Sequence, residues 1–204
     1  RNRRGPMPAM RSRPTLFRSA PGEGGAARAR AVFLDRDGVL NQSEVRGGRP
    51  YAPRALEDFR ILPGAAEAVA RLKAAGFRTI VVTNQKDVGA GLVAADVVEA
   101  MHEKLRAAMP LDAIHVCTCT DECPCYKPNP GMLLEAAEAF GIDLARSYMV
   151  GDRWRDIGAG ARAGCRTIFI DRGYDEALRD VPDHRAADIA EAAALILDRA
   201  GVRA

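Results

Sequence analysis

Asp35 and Asp37 stand two residues apart in "FLDRDGVLN", directly after an apolar run. Side chains alternate along extended backbone, so both carboxylates project from one side where the run ends, and Gly38 lets the chain turn away. Two carboxylates aimed at one place repel each other unless a cation lies between them or one holds a proton. The spacing therefore asks for Mg2+ or for an acid/base pair. An isolated pair of this kind is more often a turn former. Here further groups follow in order: Thr83 and Asn84 at the end of "TIVVTN", Lys127 in "YKPNPGM", Asp152 in "YMVGD", and Asp156 one helical turn later. An acid pair, a hydroxyl, an ammonium and a distal acid, each just past a different predicted element, suit a phosphoryl group. Donors and cations serve its oxygens, and carboxylates serve a metal and a nucleophile.

A second constellation precedes Lys127. "CTCTDECPC" packs Cys117, Cys119, Cys123 and Cys125 into nine residues. Four thiols have the number and donor type of a closed tetrahedral Zn2+ site, although C-x-C pairs are tighter than the common C-x2–4-C spacing; disulfides are the alternative. Lys127 sits on a predicted loop, and a phosphate clamp displaced by an ångström loses on the order of a hundredfold in rate. A metal-stapled loop supplies that fixing. His102 on a helix, His115 in a strand, His184 in a loop and Cys165 at a helix end read as structural, and Trp154, which opens the helix after Asp152, reads first as packing, with a place at the pocket border as the alternative.

Positioning such groups takes a rigid frame. Short apolar runs ("AVFLD", "TIVVT", "AIHVC", "SYMVG", "TIFID") alternate with helical stretches carrying Ala65, Ala68, Val69 and Leu72, then Val97, Val98, Met101 and Leu105, and finally Ile189, Ala193 and Ile196 on one face. Continuous apolar runs spaced by helices mean parallel strands buried on both faces. The fold expected is α/β: a doubly wound, Rossmann-like parallel sheet in a three-layer α/β/α sandwich, with a short zinc-binding loop. No large insertion separates the motifs, so no large cap domain is expected, and ligands belong beyond the carboxyl ends of the strands.

The 204 residues, 48% hydrophobic, suit one such domain over residues 31–204. Residues 1–30 hold eight arginines against Glu23 alone, a surplus of seven positive charges. At an overall +3, the rest of the chain is therefore net −4. That Pro/Gly/Arg-rich leader has the composition of a disordered basic tail, and a basic balance confined to it is no argument for nucleic acid. No apolar run longer than "TLF" follows Arg3 and Arg4, so no secretory core or membrane span is expected, and the cytoplasm is. A monomer without nucleic-acid or membrane partners is expected.

In order, "FLDRDGVLN", "VVTNQ", "KPNPGM" and "MVGDRWRD" resemble the four motifs of the haloacid dehalogenase superfamily of phosphatases, over roughly residues 31 to 175. The resemblance implies Asp35 as nucleophile and Asp37 as the group that protonates the leaving alcohol and then activates water. It implies Mg2+ held by Asp35, the main-chain carbonyl of Asp37, and Asp152. Thr83, the amide of Asn84, Lys127 and Arg153 become phosphate-binding groups, with Asp156 as support. The cysteine loop, "TNQKDVGAG" and "RPYAPRALEDFRILPG" are similar to the branch acting on heptose and histidinol phosphates, so the expected partner is a small phosphorylated metabolite, foremost a sugar bisphosphate. Two positions depart from that branch: Tyr126 stands where an arginine is usual, and Lys86 where a serine is. Lys86, Arg46, Arg49 and Arg155 are candidates for the missing charge, although each taken singly reads first as a solvated surface cation. Receiver domains of signalling proteins share an acid cluster, a hydroxyl, a lysine and Mg2+, but lack the acid at the position of Asp37.

Overall fold

The computed structural model describes residues 28–121 and 123–202. The predicted basic tail, through residue 27, lies outside the described residues.

β1 (Arg30–Leu34) starts one residue before the boundary read from the sequence. It leads through a hairpin, β2 (Glu44–Arg46) and β3 (Arg49–Tyr51), to α1 (Ala65–Ala74) and then β4 (Phe77–Asn84). A single turn, α2 (Lys86–Gly89), precedes α3 (Ala95–Ala108) and β5 (Ala113–Cys117). There follow α4 (Gly131–Phe140), β6 (Tyr148–Gly151), α5 (Trp154–Ala163), β7 (Arg166–Ile170), β8 (His184–Ala186) and α6 (Ile189–Arg199).

Six strands form one parallel sheet in the order β5-β4-β1-β6-β7-β8. The strand order reverses direction at β1, the kind of switch where open α/β sheets leave a crevice. Side chains of β1 divide by parity. Val32 and Leu34 enter a core with α1, α3 and α6, while Ala31 and Phe33 pack with Met132 and Leu133 of α4 and Ala159 of α5. This is the three-layer sandwich expected. Each fully buried Leu or Ile in it contributes roughly 1.5–3 kcal/mol.

Two elements depart from the sequence reading. The β2–β3 hairpin turns at Gly47-Gly48, its strands three residues each and mostly polar, too short for a period to show. It is the only insertion of strand structure over the site among the described residues. His184, expected in a loop, opens β8; "HRA" has no apolar alternation, and its place in the sheet comes from pairing with β7. No helix among the described residues is long and apolar enough to cross a membrane.

Candidate active site

The carboxyl ends of β1, β4 and β6 meet at one crevice. Asp35, just past β1, is pinned by its own amide, which donates to the carbonyl of Val150 in β6 at 2.9 Å. Its Oδ1 accepts from Lys127 Nζ at 2.8 Å. The same ammonium donates to Asp156 Oδ1 at 2.7 Å and to the Val82 carbonyl at 2.7 Å, so all three of its protons are used. Burial pulls this lysine toward the neutral form, but the charges of Asp156 and Asp35 outweigh it and hold the pKa above the ordinary lysine value. The loop that carries Lys127 is anchored by Asn84. Its amide oxygen accepts from Lys127 N at 3.1 Å, and its nitrogen donates to Lys127 O at 3.2 Å. The Asn84 side chain thus positions the lysine, leaving only its main chain to face a ligand.

Asp35, Asp152 and Asp156 place carboxylate oxygens within 4.8 Å of one another. Their partners tell them apart. Asp156 is committed on both sides, to Lys127 through Oδ1 and to the amide of Arg153 through Oδ2 at 3.0 Å. Gly151 makes that approach possible, since a Cβ there would lie 2.1 Å from the Asp156 Cβ. Asp152 is 1% exposed, and neither of its oxygens has a hydrogen-bond partner. Tyr174 approaches it without hydrogen-bonding geometry, although its hydroxyl does help oppose the shift described next. Burial first, and then the charges of Asp35 and Asp156, push the Asp152 pKa well above the usual carboxylate range. Burial likewise raises Asp35, with Asp156 adding to it and Lys127 opposing, to about 6. A buried, unpartnered carboxylate beside a second acid fits a divalent cation with oxygen ligands. Gly38 completes the cradle: its φ is +88°, and a Cβ there would fall 1.7 Å from Asp152 Oδ2.

Asp37 reaches the pocket but serves different partners. Its oxygens accept from Arg36, from Asn41 Nδ2 at 2.9 Å and from Gln85 Nε2 at 2.8 Å. The two motif acids therefore do not share one cation through their side chains, which leaves the main chain of Asp37 for that purpose. Gln85 also donates to Thr83 Oγ1 at 2.9 Å, so the Thr83 hydroxyl proton is free to be given to a ligand.

Asp35, Asp37, Thr83, Gln85, Lys127 and Asp156 line a pocket of about 600 Å3, bordered by the β2–β3 hairpin and by Asp175, Glu176, Ala177 and Arg179, while Asp152 lines an adjoining one with Trp154, Tyr174 and Glu176. Lys86, Arg49 and Arg155 line the larger one, as the sequence suggested. Arg46 does not, being paired with Glu44. The Arg155 guanidinium lies 4.7 Å from the Trp154 ring centre and 5.9 Å from that of Tyr126. Arg153 also lines the pocket, but its head is forked onto Glu176 at 3.0 and 2.7 Å and is already neutralised there. Glu176, Arg179, Tyr174, Gln85, Asn41 and Arg36 escaped the sequence reading. Most lie in stretches without periodicity, and Arg36 sits in the bend just past β1.

The cysteines converge. All four sulfurs lie within 4.8 Å of one another. Cys119 and Cys123 are in disulfide contact, Cys123 is 3.2 Å from Cys125 and 3.5 Å from Cys117, and Cys119 is 3.8 Å from Cys125. Tetrahedral zinc with bonds of about 2.3 Å spaces its sulfurs at about 3.8 Å. Main-chain bonds tie this knuckle to the lysine loop: Tyr126 N donates to Cys123 O at 3.1 Å, and Gly131 N to Pro124 O at 2.9 Å. His115 stands apart from the sulfurs on β5.

A family model described as haloacid dehalogenase-like hydrolase matches residues 13–164. The D-glycero-D-manno-heptose-1,7-bisphosphate 7-phosphatase of Thermosynechococcus vestitus is 37% identical over 187 residues, covering 79% of this chain and 92% of the relative. The D-glycero-beta-D-manno-heptose-1,7-bisphosphate 7-phosphatase of Bordetella bronchiseptica is 35% identical over 149 residues, 70% of this chain and 80% of its own. The crystal structure of D,D-heptose 1,7-bisphosphate phosphatase from B. bronchiseptica, complexed with magnesium and phosphate, superposes with a TM-score of 0.72. It shares 32% identity and covers 83% of this chain and 99% of that one.

Proposed function

This chain belongs to the haloacid dehalogenase-like hydrolase family and is a phosphatase; from that premise we propose that it releases the 7-phosphate of D-glycero-D-manno-heptose 1,7-bisphosphate in the cytoplasm, as a monomer, through an aspartyl phosphate at Asp35. The observation that carries the chemistry is the pairing of Asp35, clamped by Lys127, with the buried and unpartnered Asp152 at neighbouring strand ends. Names of relatives at up to 37% identity support the substrate.

Asp35 attacks phosphorus, and the ester oxygen departs with a proton from Asp37. Asp37 then takes a proton from the water that attacks the aspartyl phosphate, returning Asp35 and releasing phosphate. The Thr83 hydroxyl and the main-chain amide of Asn84 donate to the phosphoryl oxygens, and Lys127, its protons spent on Asp35, Asp156 and the Val82 carbonyl, contributes its positive charge beside them as charge redistributes. Arg153, committed to Glu176, contributes by orienting the pocket wall. Mg2+, held by Asp35, Asp152 and the main-chain carbonyl of Asp37, would offset the negative charge that otherwise keeps an anionic nucleophile from an anionic phosphate. Asp156 orients Lys127 and stays outside the ligand set.

Zn2+ bound by Cys117, Cys119, Cys123 and Cys125 staples the loop ahead of Lys127. A Cys119–Cys123 disulfide would engage two sulfurs and leave the approach of Cys117 and Cys125 without a reason.

The test is Mg2+-dependent phosphate release from both anomers of heptose 1,7-bisphosphate, histidinol phosphate, fructose 1,6-bisphosphate and sugar monophosphates, with Asp35→Asn as control. A preference of one to two orders of magnitude in kcat/KM for a heptose bisphosphate is expected. A preference for histidinol phosphate would trace to Tyr126 and discard the substrate while keeping the chemistry. Release by Asp35→Asn equal to wild type would discard the nucleophile.

A further inference from the structure

Among the described residues Arg36 is the largest fully buried side chain, at 0% exposure, and the proposed catalytic steps give it no task. It lies in the bend between the two motif acids, and its side chain curls back beneath Asp37. Nε lies 3.2 and 3.3 Å from the two Asp37 oxygens, and Nη2 lies 3.0 and 3.1 Å from them. Nη1 points the other way, 3.3 Å from His102 Nε2 and 3.9 Å from Met101 Sδ on α3. The guanidinium carbon sits 5.5 Å from the centre of the Phe59 ring.

We propose that Arg36 is a positioning residue for proton transfer: its guanidinium holds the Asp37 carboxylate at the pocket wall through two nitrogens that each contact both oxygens, and His102 fixes the guanidinium from behind. This rests on Asp37 being the group that protonates the leaving alcohol.

The chain of donors has one consistent direction. Arginine only donates, so His102 Nε2 accepts from Nη1 and the ring proton is on Nδ1, which faces Glu99 Oε2 at 3.4 Å. Burial and the neighbouring Arg36 charge both hold His102 neutral, the state this arrangement requires. A neutral imidazole can accept, whereas an imidazolium would repel the guanidinium. Each of the two nitrogens lies about equally far from both oxygens, so the guanidinium meets the carboxylate in crossed planes and fixes where it stands rather than its plane, which suits a group that must hold one place through two opposite proton transfers. Asn41 and Gln85 then approach from the two flanks, so the carboxylate is held from three sides. A charged group at zero exposure is poor evidence of stabilisation, since desolvation opposes the Coulomb gain. Its specificity of placement is what a proton-transfer group needs.

The experiment compares kcat/KM for the best sugar phosphate of the wild-type enzyme with kcat/KM for p-nitrophenyl phosphate. This parameter covers the steps up to departure of the first leaving group. The sugar alkoxide needs a proton from Asp37, and p-nitrophenolate scarcely does. Arg36→Met is expected to lose about 100-fold more on the sugar phosphate than on the aryl phosphate, within the range of general acid catalysis. In an Asp37→Ala background the same substitution is expected to add less than about threefold. His102→Leu, which strips Nη1 of its acceptor, is expected to show the same leaving-group signature at about a tenth of the size, and it decides the matter if Arg36→Met does not fold. Equal losses on both substrates, or a loss that adds fully to Asp37→Ala, would show Arg36 to be packing only and overturn the proposal. If Asp37→Ala itself shows no leaving-group dependence, the acid/base reading falls and the proposal with it.

Discussion

Asp35→Asn is expected to destroy hydrolysis and, in the absence of metal, to make the protein more stable. The magnitude comes from the crowding at the strand ends. Burial and the nearby Asp156 raise the Asp35 pKa from 3.8 to about 6 even with Lys127 at 2.8 Å. Such a carboxyl is harder to ionise in the folded chain than in the unfolded one. Below about pH 4 it is protonated in both states and has no effect; as the pH climbs to about 6 the folded state loses stability, and above that the loss is complete. Two pKa units at about 1.4 kcal/mol each amount to roughly 3 kcal/mol at pH 7. Asparagine mimics the protonated carboxyl, and Asp156 remains beside Lys127 to pair with it. In EDTA at pH 7, Asp35→Asn should melt on the order of 8 °C above wild type, and the gap should close toward pH 4. Saturating Mg2+ should raise wild type far more than the variant. A variant that melts at or below wild type in EDTA at pH 7 would refute the claim that Asp35 is held ionised against its surroundings.

Three further outcomes follow from the same geometry. Asp152→Asn should raise the Mg2+ concentration for half-maximal activity by at least about 100-fold, and Asp156→Asn by less than about tenfold while lowering kcat about 10- to 100-fold; equal shifts in the Mg2+ titration would put both residues in the ligand set. Purified protein should contain one zinc per chain by atomic absorption. Cys125→Ser should lose it together with at least about 2 kcal/mol of stability in urea titration, whereas zinc content near zero in active wild type would favour the disulfide. Gly38→Ala should abolish Mg2+ binding in calorimetry while leaving the circular dichroism spectrum native, because its Cβ would occupy the place of Asp152 Oδ2.

What could be read in advance, and what could not, divides along physical lines. β1, β4 and β6 are apolar runs buried on both faces, so their existence, their parallel pairing and the convergence of Asp35, Thr83 and Asp152 at their ends follow from pattern alone. Lys127 and the four cysteines were legible as types at a spacing. The β2–β3 hairpin and β8 were not, since strands of three polar residues owe their conformation to neighbours rather than to periodicity. The pairing of Arg153 with Glu176 was equally hidden: the partners are 23 residues apart, and Glu176 lies in a loop. Arg36 marks a third kind of limit. An arginine is assigned to the surface by default, and its burial here depends on a carboxylate, an imidazole and an aromatic ring brought together from three separate segments.

The arrangement around Lys127 also dictates an order of arrival. Asp35, Asp152 and Asp156 together carry three formal negative charges when ionised, and Lys127 returns one positive charge. With all three ionised, a phosphate dianion entering this corner alone would meet a surplus of two like charges at short range in a partly dry cavity. A divalent cation brings the corner to neutrality first. Substrate capture is therefore conditional on the cation: at low Mg2+ the enzyme should fail by losing affinity for its ester before it loses chemistry, and free phosphate should leave faster as the cation is withdrawn. The corner acts as a two-key lock in which the second key is repelled until the first has been turned.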